Sequence, residues 1–201
     1  MNKKHLELFD FDGTLTRKDT FVDLIKFQFG IAKLLLGFGM YLPHLFLMKV
    51  KLYSNAKTKQ KIFKHFFKGM DIDSFNKLCR SYCDSRFPEI MRPSALTYLE
   101  QSKAEKAIVS ASIQNWVKCF AERLNIEIIL ATEIEIDEYG KLTGNFSSNN
   151  CHGDEKVVRI KNLIDDRSSF QITAFGDGSG DKAMINYADK GHYNYFKWKH
   201  T

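Results

Sequence analysis

The chain has 201 residues, 44% of them hydrophobic, which indicates one globular domain, or a core with one sizeable insertion. Its four cysteines form no CxxC pair, which argues against a disulfide framework and favours reduced thiols in a cytoplasmic protein. The net charge of +6 is unevenly distributed, because residues 17–70 carry eleven basic and only two acidic residues. This basic segment predicts an anionic substrate or an anionic surface. No DNA- or RNA-binding motif accompanies it, so we do not expect nucleic acid as a partner.

The first predicted strand, residues 5–9, leads directly into Asp10-Phe11-Asp12-Gly13-Thr14, and the four residues before it do not resemble a signal peptide. Two carboxylates two residues apart on an extended segment project from the same face, and Gly13 permits a sharp turn. Ligands bind at the carboxyl ends of strands in open α/β sheets. The pair therefore indicates a divalent metal with oxygen ligands, and a solvated Asp-rich turn is the alternative.

Residues 17–90 are predicted to form four helices inserted after this strand. The first is capped by Asp19 or Thr20 and ends at residue 29, because Gly30 breaks it. Residues 55–68 place aromatic side chains on one side and lysines on the other. The last helix is capped by Asp71 or Asp73.

The segment 31–48 within this insertion is strongly apolar. Only 15 residues lie between Lys33 and Lys49, which makes about 22 Å of helix, less than the roughly 30 Å of a bilayer core. A single crossing would also separate Asp10 from Asp177. We therefore expect the segment to lie within the helical bundle or to dip into one leaflet of a membrane, with both alternatives open.

From residue 92 onward, the pattern alternates between strands and helices, which predicts a parallel sheet between two helical layers. A hairpin is predicted at 133–146. The predicted strands are 106–110, 126–132, 171–175 and 192–196, and the predicted helices are 94–104, 113–124, 154–164 and 179–187.

Three further groups fall at predicted strand or helix ends, where phosphoryl transfer would need them. Ser110-Ala111-Ser112 ends a strand and opens a helix, so a hydroxyl and free N–H groups can bind a phosphoryl oxygen. Lys156 lies in the first turn of a helix, where its ammonium can neutralise an anion. Asp177 and Asp181 lie on a glycine-rich turn suited to Mg²⁺. Each group alone has an ordinary alternative: a helix cap, a solvated lysine or a simple turn.

Together, these motifs resemble those of the haloacid dehalogenase (HAD) superfamily: DxDGT, then a serine at a strand end, a lysine, and GDGxxD. The position of the insertion resembles the phosphoserine-phosphatase-like branch, subfamily IB. The stretch 151–156 resembles the C-x-G-x-E-K of a bacterial subgroup that includes phosphatidylglycerophosphatase C. The resemblance implies an α/β, Rossmann-like parallel sheet sandwiched by helices, with core residues 1–16 and 91–201 and a four-helix cap at 17–90.

The resemblance also implies a Mg²⁺-dependent phosphomonoester hydrolase with an aspartyl-phosphate intermediate. Asp10 would be the nucleophile and Asp12 the general acid and base. The phosphoryl group would be bound by Gly13, Ser110, Ala111 and Lys156. Mg²⁺ would be held by the Asp10 side chain, the Asp12 backbone carbonyl and Asp177, with Asp181 as a ligand or next to one.

The insertion gives the expected substrate class. Phosphoserine phosphatases use a cap arginine for the substrate carboxylate, but here no arginine lies between Arg17 and Arg80, although Asp19 stands near the expected acidic position. The apolar, basic cap instead favours a lipid-linked or amphiphilic phosphate, such as phosphatidylglycerophosphate or a lysophosphatidate, and contact with an anionic membrane at its inner, cytoplasmic face. A soluble phosphatase and an inactive, membrane-peripheral lipid-binding protein are the alternatives.

Overall fold

A computed structural model describes residues 3–41 and 55–198. Its strands are β1 (Lys4–Phe9), β2 (Glu105–Ile113), β3 (Ile128–Thr132), β4 (Ile134–Ile136), β5 (Leu142–Phe146), β6 (Phe170–Gly176) and β7 (Lys190–Tyr193). Its helices are α1 (Thr20–Met40), α2 (Asn55–Phe67), α3 (Ile72–Ile90), α4 (Pro93–Gln101), α5 (Gln114–Arg123), α6 (Asp154–Leu163), α7 (Lys182–Tyr187) and α8 (Tyr195–Trp198).

Five strands form a parallel sheet in the order β3-β2-β1-β6-β7, so the first strand of the chain is the central one. Alternate residues of β1 face opposite sides: Leu6 and Leu8 join one hydrophobic cluster and Phe9 joins the other. Both clusters are covered by helices. The predicted α/β class with a parallel sheet between helices is confirmed.

The segment between β1 and α4 contains helices, as predicted. Asp19 accepts a hydrogen bond from the Val22 N–H (3.1 Å) as the N-cap of α1, and Gly30, at φ +79°, kinks this helix where a break was predicted. Asp71 caps α3 by accepting from the N–H groups of Asp73 and Ser74. Residues 42–48 of the predicted apolar segment lie outside the described residues.

Two strands end three residues away from their predicted ends. The strand expected at 106–110 continues to Ile113 through a register shift between Ser110 and Ile113, so the helix begins only at Gln114. The last strand was expected at 192–196 but ends at Tyr193. There Asn194 adopts φ +58° and donates its N–H to Gly176 O (2.9 Å), which turns the chain away from the sheet.

The hairpin of β4 and β5 confirms the prediction at 133–146, and α2 packs against β5. Helix α3 contacts the core through Tyr82, whose ring meets that of Phe120 on α5 edge to face at 5.9 Å. Within 3–41 and 55–198, none of the helices is long and apolar enough to span a membrane.

Candidate active site

The site is built around the carboxyl end of β1, where the chain leaves the sheet. Asp10 follows the last residue of the strand, donates its N–H to Phe175 O (2.9 Å) and is 7% exposed. Gly13 lies in the turn at φ +80°, which L side chains rarely adopt, and a Cβ there would lie 2.3 Å from Asp177 Oδ2. The Thr14 hydroxyl lies within hydrogen-bonding distance of both Asp10 (3.2 Å) and Asp177 (3.4 Å).

Lys156 is a buried cation that joins two of these carboxylates. Its Nζ donates to Asp10 Oδ1 (2.7 Å), Asp181 Oδ1 (2.6 Å) and Val109 O (2.7 Å), which uses all three ammonium donors. Burial opposes the charge on Lys156, but Asp10 and Asp181 together outweigh it and raise its pKa. The ammonium group of Lys156 is therefore held within the acidic cluster.

The glycine-rich turn after β6 brings two more carboxylates to the same place. Asp181 Oδ2 accepts from the N–H groups of Asp177 (3.0 Å) and Gly178 (2.8 Å), so this side chain fixes the turn. Asp177 Oδ2 accepts from Lys197 Nζ at 2.9 Å. Lys197 had no predicted role, because it lies just beyond the strand predicted at 192–196.

The carboxylates of Asp10, Asp177 and Asp181 fit a metal ion. One oxygen from each lies within 4.8 Å of the others, and Gly13 has no Cβ that would displace the Asp177 carboxylate. Burial raises the pKa of Asp10 to about 7. Lys156 lowers this pKa, and the negative charge of Asp181 raises it further. Crowded carboxylate oxygens are the ligands that hard divalent cations such as Mg²⁺ prefer, because the cation relieves their repulsion.

Asp12 lines the same cavity, but its carboxylate bonds to other partners. Its Oδ1 accepts from the N–H (2.9 Å) and the hydroxyl (2.6 Å) of Thr20, and its Oδ2 accepts from the hydroxyl of Ser112. Burial raises the pKa of Asp12 to about 6, with a further contribution from Asp19. This placement is compatible with the expectation that only the backbone carbonyl of Asp12 serves a metal.

Ser110 and Ala111 lie near the carboxyl end of β2, where its pairing with β3 shifts register. They were predicted to lie at the N-terminus of a helix, but the helix begins only at Gln114. Ser110 Oγ is buried and accepts from the Ser112 N–H (3.0 Å), so its own proton can be donated elsewhere. Lys59 of α2 donates to Ala111 O (2.8 Å), with its ammonium 5.5 Å from the centre of the Phe21 ring. Of the neighbouring lysines on α2, Lys59 lines the site and Lys61 is exposed.

These groups line one cavity of about 340 Å³. Its floor consists of Asp10, Ser110 and the turn 177–181. Its other wall comes from α1, the N-cap of α1, and α2. Four of its members are apolar (Phe21, Val22, Phe38 and Ile62) and three are polar (Asp19, Thr58 and Lys59). The cavity can therefore hold a phosphate at its acidic end and an apolar or charged body against the helices.

Sequence reasoning identified the aspartates and Lys156 and missed their supports. Thr20 was predicted only as a possible helix cap, and Trp116 only to lie within the helix at 113–124. In the structure, Trp116 Nε1 donates to Thr20 Oγ1 (3.0 Å), and this hydroxyl donates in turn to Asp12. The spacing of eight residues between Asp12 and the start of α1 was the one available signal.

Comparisons with known proteins agree with this geometry. A family model described as haloacid dehalogenase-like hydrolase matches residues 8–186. Protein CicA of Caulobacter vibrioides is 31% identical over 204 residues, which cover 96% of this chain and 87% of CicA.

Two solved structures share the fold. A Bordetella pertussis protein of unknown function superposes with a TM-score of 0.81 at 13% identity, covering 96% of this chain and 89% of the other. A phosphoserine phosphatase solved as a phospho-aspartyl intermediate analogue gives a TM-score of 0.61 at 23% identity, covering 96% and 86%.

Proposed function

The chain belongs to the haloacid dehalogenase-like hydrolase family, and on that premise we propose that it is a Mg²⁺-dependent phosphomonoester hydrolase. One observation carries the proposal. A buried carboxylate at the tip of the central strand, Asp10, faces a cavity together with Lys156 and two further aspartates. Such a set can accept a phosphoryl group.

Asp10 is proposed as the nucleophile. A carboxylate oxygen forms a bond to phosphorus, the bond from phosphorus to the substrate oxygen breaks, and an aspartyl-phosphate results. Lys156 holds Oδ1 of Asp10 at 2.7 Å and offsets the repulsion between two anions. Oδ2, which accepts only a longer bond from the Thr14 hydroxyl (3.2 Å), is proposed to attack.

Asp12 is proposed as the general acid and base. In the first step it gives a proton to the departing alkoxide, and in the second it takes a proton from the water that attacks phosphorus and releases Asp10. Its pKa, raised by burial to about 6, allows both protonation states near neutral pH.

The phosphoryl oxygens are proposed to lie against Ser110, whose hydroxyl proton is available, and against the backbone of Gly13 and Ala111. Lys156 contributes its positive charge through its contact with Asp10. The residues proposed to hold Mg²⁺ are Asp10, Asp177 and the Asp12 carbonyl, with Asp181 fixing the turn that carries Asp177. When bound, the cation neutralises charge on the transferring group.

Residues 17–90 are proposed to act as a cap that selects the substrate. The apolar wall of Phe21, Val22, Phe38 and Ile62, with Lys59 at its edge, suits a lipid-linked or amphiphilic phosphate. The finer resemblance to phosphatidylglycerophosphatase C stays a prediction. Asp19 on the same wall supports the second candidate, a soluble substrate with an amine such as phosphoserine.

Contact with an anionic membrane at its cytoplasmic face is part of the same proposal. Ile31, Leu35, Leu36 and Met40 of α1 are 53–71% exposed. Lys33 lies among them, and α2 carries no acidic residue. Sedimentation with anionic vesicles at low salt tests this contact, and absence of binding overturns it.

Phosphate release with Mg²⁺ from a panel of phosphates tests the activity. The panel contains an aryl phosphate, phosphoserine, phosphatidylglycerophosphate and lysophosphatidate. We expect turnover that a chelator abolishes, with preference for the lipids, and no turnover by Asp10→Asn. Release that survives Asp10→Asn contradicts the assigned nucleophile, and an inert wild-type protein contradicts the proposed activity.

A further inference from the structure

The carboxylate of Asp12 is fixed by three donors, two from Thr20 and one from Ser112. Thr20 donates twice to Oδ1, once from its N–H (2.9 Å) and once from its hydroxyl (2.6 Å). Ser112 donates its hydroxyl to Oδ2. Both of these side chains are 0% exposed, so water does not compete for the contacts.

These contacts divide the two oxygens of Asp12 unequally. A carboxylate oxygen has about two lone-pair sites for hydrogen bonds. Both sites on Oδ1 are filled by Thr20, whereas Oδ2 receives one bond and keeps one site. When Asp12 is protonated, the proton is therefore on Oδ2, the oxygen with a lone-pair site left.

The direction of the Thr20 hydroxyl is fixed in turn by Trp116. The indole Nε1–H of Trp116 donates to Thr20 Oγ1 at 3.0 Å, and an indole nitrogen can only donate. The hydroxyl oxygen is thus occupied by an incoming bond, and its own proton is left to point at Asp12, at 2.6 Å. Trp116 is 0% exposed and stacks on Phe21 of α1, so the indole is itself held in place.

We propose that Thr20, oriented by Trp116, is a positioning residue that reserves Oδ2 of Asp12 for the transferred proton. The inference rests on the proposed phosphatase function and assigns within it a role to the first residue of α1. Because Thr20 begins the first helix of the proposed cap, the acid is positioned by the same helix that lines the substrate cavity.

The proton balance follows this assignment. As Asp10 bonds to phosphorus, the alkoxide leaves and takes the proton from Oδ2 of Asp12. In the second step, water gives a proton to Oδ2 while its oxygen bonds to phosphorus and the bond to Asp10 breaks. The acid is restored, and Oδ1 keeps its two bonds from Thr20 throughout.

The test uses the leaving group. An alkoxide needs a proton from Asp12 and a nitrophenolate does not, so misplacement of the acid affects alkyl phosphates selectively. Comparison of kcat/KM for the preferred alkyl phosphate and for 4-nitrophenyl phosphate reports this selectivity, because both values cover the steps up to formation of the aspartyl-phosphate.

We expect Thr20→Val, which keeps the shape and loses the hydroxyl, to lower kcat/KM for the alkyl phosphate about 10²-fold and for the nitrophenyl ester less than about threefold. The loss lies in kcat and not in KM. Thr20→Ser restores the hydroxyl and most of the rate. Equal loss on both esters by Thr20→Val, or failure of Thr20→Ser to recover, overturns the inference.

Two further variants keep the test decisive. Trp116→Phe removes the N–H that orients Thr20, and we expect the same selective loss at smaller size. Thr132→Val removes another buried hydroxyl, which donates to Ala111 O (2.9 Å) and not to Asp12, so its effect on the two esters should be equal. A selective loss with Thr132→Val contradicts the assignment to Thr20. If the wild-type protein hydrolyses neither ester, the proposed phosphatase function itself is wrong.

Discussion

The Nζ atom of Lys156 lies 2.7 Å from Oδ1 of Asp10, although 146 residues separate the two in the chain. The same ammonium reaches Asp181 at 2.6 Å. One buried cation therefore links the tip of β1, the start of α6 and the turn after β6. The charge balance of this group depends on it, since burial alone would disfavour the ionised form of Asp10.

Replacement of Lys156 by Met tests this dependence. Removal of one partner from a buried ionic group leaves uncompensated charge and typically costs about 3–5 kcal/mol, so we expect a lower melting temperature and loss of phosphate release. Addition of Mg²⁺ should recover part of the melting temperature, because the dication replaces the missing charge. An unchanged melting temperature without Mg²⁺ contradicts the structural role of Lys156.

Gly13→Ala tests the tight approach between the first turn and Asp177. A side chain at φ +80° is strained by about 1–2 kcal/mol. The new Cβ would also lie 2.3 Å from Asp177 Oδ2. We expect a higher Mg²⁺ requirement and at least about tenfold lower kcat/KM.

Gly69→Ala is the matched control for Gly13→Ala. Gly69 has φ +83° with no atom within 4 Å of an added Cβ, so the strain is similar without a clash. Both variants should lose stability in a denaturant titration, Gly13→Ala at least as much as Gly69→Ala because of its additional clash, and only Gly13→Ala should lose activity. Equal activity losses would show that backbone strain, and not Asp177, is responsible.

Lys59→Met tests the contribution of the cap to substrate binding. Burial lowers the pKa of Lys59 against the opposing effect of Asp12, and the ammonium lies at the cavity edge. We expect KM for lipid phosphates to rise about 10-fold or more, in line with a lost charge-assisted hydrogen bond, with kcat changed less. Lys61→Met, on the exposed side of the same helix, is the control. Matching KM values for the two variants contradict a binding role for Lys59.

The cysteines give a prediction independent of catalysis. All four are buried and free, and burial raises the pKa of Cys151 to about 11 and that of Cys83 to about 12. Since the thiolate is the reactive form, iodoacetamide at neutral pH should label the native protein slowly and all four sites after denaturation. Fast labelling of any cysteine in the native state contradicts the described packing.

The fold class and the family could be predicted from the sequence, because the signals are local. Strand and helix periodicity, the caps Asp19 and Asp71, and the break at Gly30 each depend on a few neighbouring residues. The aspartates could be found as well, since parallel strands end at one edge of the sheet and bring Asp10 and Asp177 together.

The sequence did not determine what those side chains contact. The helix after Ser110 was placed too early, because a bulge in β2 depends on pairing with β3 and leaves no local pattern. Trp116 reads as a core residue on a helix face, and only the packing of α5 against the start of α1 turns its N–H toward Thr20. Lys59 and Lys197 likewise resemble solvated lysines in sequence, and their ammonium groups reach Ala111 and Asp177 only through tertiary contacts. Side-chain direction is set by the packing of distant segments, so the sequence determined which chemical groups are present and the tertiary structure decided which of them meet.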